Sequence, residues 1–151
     1  MNYNVDMMLE WATALESGQY HQGKESLHPF NEAAMEYEHC CLGVACELFA
    51  EQAGMERVGK DGWAWGWYTS WKVIPESLSL LMFGHADLGN PDLYVPEELW
   101  KFRAAAHENQ EWHVDSKVPA AYLNDAWGLN FQQIAQCIRY TVERMGADEK
   151  G

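Results

Sequence analysis

"EHCCLGVACELF", residues 38–49, opens on two polar residues and turns apolar at Cys40. From Cys41 to Ala53 the polar positions Gly43, Glu47 and Glu51 recur at four-residue spacing, which puts them in one narrow stripe of a helix. Nearly everything else in the run is apolar. The pattern predicts a helix over 41–53, ended at Gly54, buried on most sides and central to the fold.

The rest of the chain arranges itself around that helix. Upstream, Asn4 is placed to cap a first helix carrying Val5, Met8, Leu9, Ala12 and Leu15, with Ser17-Gly18 as its stop. Residues 18–39 contain Gly and Pro without a clear period and read as loop with one short helical turn. Downstream, Lys60-Asp61-Gly62 signals a tight turn, and Trp63, Trp65 and Trp67 alternate onto one face of a β-hairpin or small antiparallel sheet. Pro75 is suited to open a third helix through Phe83, closed by Gly84. Residues 85–95 read as loop, and Pro96 opens a fourth helix carrying Leu99, Trp100, Phe102 and Ala106. A polar connector (107–117) leads to a short helical turn over 119–127. Gly128 breaks it. The final helix starts at a capping-box pair, Asn130 and Gln133, and carries Phe131, Ile134, Ala135, Ile138, Val142 and Met145 as its apolar stripe. The fold expected for residues 1–151 is one α+β domain of four to five helices packed on a small antiparallel sheet or hairpin, with 146–151 a frayed tail.

Composition excludes several classes. The chain has 151 residues and is 48% hydrophobic, which suits a single domain with its own core. No apolar run is long enough to span a bilayer, and the acidic N-terminal stretch does not resemble a signal peptide. A cytoplasmic location is expected. The four cysteines Cys40, Cys41, Cys46 and Cys137 do not form a disulfide framework. The formal net charge is −13, and residues 1–56 carry −9 of it, with ten acids against Lys24 alone. Direct nucleic-acid binding needs a basic footprint and is not expected. An acidic face suits a basic partner, or serves only solubility.

Four residue patterns invite chemistry. A thiol at the start of the 41–53 helix would sit at the positive end of the macrodipole, which favours thiolate. Cys41-Leu42-Gly43-Val44 resembles the short Cys-x-Gly-apolar segment in which some cysteine peptidases and amidases place their nucleophile. His113, with Asp115 two residues on, is the histidine best placed to serve as its base. Buried packing is the simpler reading, since free cysteine is among the most buried residue types. His39, Cys40, Cys41 and Cys46 lack the paired spacing of a zinc site, so neither metal nor cofactor is expected. Residues 130–145 begin like a helix-turn-helix unit but have no recognition helix after them. The alternating Trp63, Trp65 and Trp67 are either the inner face of a sheet or a stacking platform in a small-ligand or nucleotide pocket.

Three segments in order, "WATALESGQYHQG" (11–23), "CCLGVACELF" (40–49) and "LNDAWGLNFQQIAQCI" (123–138), resemble a family of small uncharacterised proteins encoded mainly by bacteriophages and prophages. The resemblance spans most of the chain; residues 97–117 depart from it and read as an insertion. It implies a genomic setting, without a mechanism. The function expected is therefore a phage accessory protein that binds and inhibits a host or anti-phage defence protein with a basic surface, in the manner of a DNA mimic. Glu10, Glu16, Glu36, Glu38, Glu47 and Glu51 are its candidate contacts. The alternatives are a cysteine-dependent hydrolase using Cys41 and His113, and a small-ligand protein with a Trp-lined pocket.

Overall fold

The computed structural model describes residues 3–24, 27, 30–31, 36–58, 62–65, 68–70, 72–86, 88–103 and 116–150. Helix α1 is Val5–Glu16, and the Asn4 side chain accepts the Met7 N–H at 3.1 Å. Met8, Trp11, Ala12 and Leu15 form its buried face. Helix α2 is Cys41–Phe49, every residue from Cys41 to Cys46 being buried. It is the central helix expected, though shorter, because residues 50–54 leave the helix as turns and Gly54 takes φ +65°. The Trp11 indole N–H donates to the Cys41 carbonyl at 2.8 Å and locks α1 to the start of α2.

Gly43 corrects the sequence reading of α2. Its spacing groups it with the polar Glu47 and Glu51, yet a Cβ at this position would lie 1.7 Å from the Leu27 carbonyl oxygen. The glycine is there to let a neighbouring backbone touch the helix. Leu27 itself is fully buried.

The α+β class holds, and among the described residues the strands fall into three small antiparallel units. The first is β1 (Phe30–Asn31) with β2 (Glu36–Tyr37), lying where the sequence suggested a helical turn. The second is the expected aromatic sheet: β3 (Glu56–Val58), β4 (Gly62–Trp65) and β5 (Tyr68–Ser70), in the order β3-β4-β5. The third pairs β6 (Asp92–Tyr94) with β7 (Lys117–Pro119), placing Leu93 opposite Val118. Both of those side chains are fully buried, and the Tyr94 N–H donates to the Thr141 hydroxyl at 2.8 Å. This unit replaces part of the loop read from sequence over 85–95.

Helix α3 is Glu76–Phe83, opened by Pro75 and closed by a left-handed Gly84 as expected. Pro96 starts a 3-10 helix, Glu97–Phe102; Ala106 and most of the connector after it lie outside the described residues. Helix α4 is Ala120–Asp125 and helix α5 is Phe131–Lys150. The capping box closes as predicted: Asn130 N–H to Gln133 Oε1 at 2.9 Å, and Gln133 N–H to Asn130 Oδ1 at 2.8 Å. Helix α1 packs along α5, while α2 lies against α1 and α4. The buried faces of all these elements share one hydrophobic cluster.

Candidate functional site

The three sequence segments singled out above meet at one side chain. Asn124, on α4, is fully buried. Its Oδ1 accepts from the Gln22 side-chain amide at 3.0 Å and from the Cys41 N–H at 3.3 Å. Its Nδ2 donates to the Gly23 carbonyl at 2.9 Å and to Asp125 Oδ1 at 2.7 Å. Gln22 also donates to the Leu129 carbonyl at 2.8 Å. A carboxamide offers two donors and two acceptor sites, so Asn124 is saturated by groups from all three segments. Its role is to tie them together.

Beside this node lies a cleft of about 450 Å³, lined by Cys40, Lys72, Val73, Asn90, Ala121 and Asp125. Cys40 is the N-cap of α2, its sulfur accepting the Gly43 N–H at 3.4 Å. Asn90 Oδ1 accepts the Ala121 N–H at 2.8 Å, in the first turn of α4. Burial pushes the Cys40 thiol up to about 11, so the sulfur is protonated at neutral pH. The sequence pointed to Asp125 through its motif, but nothing in it brings Lys72 and Asn90 to the same place.

Cys41, the candidate nucleophile, is fully buried, with its sulfur 3.6 Å from the Ala120 carbonyl. Burial raises its thiol well above the ordinary range, with Cys40 and Asp125 adding to the shift. Desolvation outweighs the helix dipole here, and the described residues lend no support to a thiolate at this position. His113 lies outside the described residues. All four cysteines are free and buried.

Trp63 is 3% exposed and belongs to the core. Arg57 lies over its ring at 5.7 Å. Trp65 is placed by its backbone alone, opposite Tyr68, and Trp67 lies outside the described residues. The histidine of the opening motif, His39, meets Glu47 at 3.3 Å and the edge of the Tyr20 ring at 5.2 Å between centroids.

The six candidate carboxylates divide. Glu10 and Glu51 are exposed. Glu16 is held by Arg139 through two hydrogen bonds, at 2.8 and 3.0 Å, which lower its pKa. Glu47 is not a free solvent-facing acid: it is half-buried and takes Arg57 at 3.4 Å as well as His39. Glu38 is partly buried and Glu36 is placed by its backbone alone. Three exposed acids that the sequence analysis did not single out, Glu97, Glu98 and Glu143, line an open cleft of about 440 Å³ together with Arg139 and Tyr140. They come from the 3-10 helix and α5, so no local pattern joins them.

Among the described residues no group of three His, Cys, Asp or Glu side chains is arranged to hold a metal ion. No helix is long and apolar enough to cross a membrane. A family model described as a domain of unknown function (DUF8296) matches residues 1–142. No curated protein and no solved structure matches the chain.

Proposed function

The chain belongs to the DUF8296 family, and we propose that it acts by binding: it is an accessory protein of phage type that blocks a host or defence protein through its carboxylate-rich surface. One observation carries this reading, the unequal use of the two signs of charge. Arg57 and Arg139 are in ion pairs with Glu47 and Glu16. Lys101, Arg103, Lys117 and Arg144 lie over aromatic rings at 4.4 to 5.9 Å. Each of these six bases lies against a carboxylate or a ring of its own chain; Lys24 and Lys72 are exposed as well, and against them stand the exposed Asp6, Glu10, Glu51, Glu97, Glu98 and Glu143. On a chain of net charge −13, that arrangement presents carboxylates outward to a basic surface and speeds the encounter with it.

The contact set moves accordingly, away from Glu16 and Glu47 and towards Glu10, Glu51, Glu97, Glu98 and Glu143. The resemblance to phage and prophage proteins is what makes a host or defence protein the partner, and a nucleic-acid-binding groove on it the surface to be filled. The test is a quadruple reversal, Glu10→Lys, Glu51→Lys, Glu97→Lys and Glu98→Lys, assayed against a partner identified from host lysate. Binding should weaken by about tenfold or more on reversal and on raising salt from low to physiological strength. Duplex DNA should compete for the partner. Binding that ignores salt, or that the reversed variant retains in full, refutes the proposal.

A further inference from the structure

Helix α3 has two faces, and the chain covers only one of them. Leu78, Ser79, Met82 and Phe83 are buried. Ser77, Leu80 and Leu81, at i, i+3 and i+4, share the opposite side. Leu80 is 57% exposed and Leu81 42%; of the large apolar side chains that the described residues leave exposed, only these two share an element. A single exposed leucine is ordinary on a protein surface. These two instead line one groove of about 260 Å³, together with Glu76, Ser77, Ala86 and the residues Gln52 and Ala53 from the turns after α2. We propose that this groove docks an amphipathic helix of another protein, one whose apolar stripe is flanked by Lys or Arg.

Charge selects the occupant. Glu76 lines the groove, the exposed Glu51 precedes Gln52 at its rim, and no Lys or Arg is among the lining residues. A second copy of the chain would meet the groove in a two-fold contact, setting the same acidic rim against itself between molecules of net charge −13. An anionic membrane surface is repelled by the same charge. A basic amphipathic helix is drawn to it and buries its own apolar stripe on Leu80 and Leu81. The shape favours a helix over an extended strand, because Ser77, Leu80 and Leu81 form a helical ridge that the side chains of another helix can straddle. At about 1.5 Å per residue, the eight residues of α3 face about two turns of the partner. Apolar residues at its i, i+3, i+4 and i+7 positions then make the contact. The groove shares only Glu51 with the contact set proposed above.

The test is calorimetric titration of the full chain with a synthetic helical peptide of about 15 residues, carrying Leu at i, i+3, i+4 and i+7 and Lys and Ala elsewhere. Two further peptides are titrated, one with every Lys replaced by Glu and one with the same residues scrambled out of helical period. The Leu/Lys peptide should bind saturably at one site per chain. Each of the other peptides should bind more weakly by about tenfold or more, as should the first peptide to the double variant Leu80→Gln, Leu81→Gln. Both leucines are exposed, so the variant should keep the wild-type melting temperature, which separates loss of binding from loss of fold. Three results overturn the proposal: the Leu/Lys peptide does not bind, the Glu or scrambled peptide binds as well, or the double variant binds as wild type does. A dimer in sedimentation that the double variant abolishes overturns it in favour of a second copy. Attachment to phosphatidylcholine vesicles that the double variant loses overturns it in favour of a lipid surface. The double variant leaves every carboxylate in place, so the groove can fail while the acidic surface still binds its partner, and the reverse.

Discussion

Replacing Asn124 by alanine tests the central reading of the fold. The side chain is fully buried and makes four hydrogen bonds, two of them to backbone groups, the Cys41 N–H and the Gly23 carbonyl. Gln22 keeps its bond to the Leu129 carbonyl when Asn124 is removed, and Asp125 lies nearer solvent. The cost is therefore set by the two backbone groups left buried without a partner. Each such group costs about 1–3 kcal/mol, so the variant should lose about 4 kcal/mol. That is a large part of the 5–15 kcal/mol by which a domain of this size is stable. With a urea m-value of about 2 kcal/mol per molar, the unfolding midpoint should fall by about 2 M. Asn130→Ala, which removes an exposed cap of α5, serves as the control and should cost only about 1 kcal/mol. A midpoint for Asn124→Ala within about 0.5 M of wild type would show that water or relaxation replaces the four bonds, and the staple argument would fail.

Gly43→Ala should destabilise by about 3 kcal/mol or more, because the obstacle to its Cβ is the Leu27 backbone and not a movable side chain; a thermal melt at the wild-type temperature would refute the close approach. Stability should decline as pH rises above about 9. Burial holds Cys40 at about 11 and Cys137 at about 12 against an ordinary 9.0. The folded chain thus retains protons that the unfolded chain releases, a contribution complete below pH 9 and lost as the folded values are approached. Urea titrations between pH 8 and 11 check this, and a flat profile would refute the buried thiols. Glu16→Gln should cost no more than about 1 kcal/mol, since the Arg139 pair is exposed to solvent and screened; a loss several times larger would mean that the pair is structural.

How much of this was legible in the sequence depended on the range of the signal. Asn4, Pro75, Gly84 and the Asn130–Gln133 box mark helix ends through bonds made within a turn of the residue itself, and each was readable. The β6–β7 pair was not, because strands of three residues show no period and Leu93 meets Val118 across a distant stretch of chain. Gly43 groups by spacing with the polar Glu47 and Glu51, when its meaning lies in the backbone that touches it. Glu47 fell into the same stripe. Only the folded chain brings His39 and Arg57 to its carboxylate. The cleft was least legible of all. Asp125 sat inside a recognisable motif, but Lys72 and Asn90 join it only through the packing of loops around α2 and α4.

The staple at Asn124 also bears on the order in which the molecule assembles. Its bonds to Gly23, Gln22 and Cys41 join residues 101, 102 and 83 positions away along the chain. None can form until the intervening loops are closed, an entropic cost that local helices such as α1 and α5 do not bear. The staple should accordingly be absent from the folding transition state and complete only in its final descent. Its removal would then leave the refolding rate almost untouched and quicken unfolding. Asn124 would act as a latch on a structure that is already assembled, holding the two ends of the sequence shut for longer than their packing alone would do.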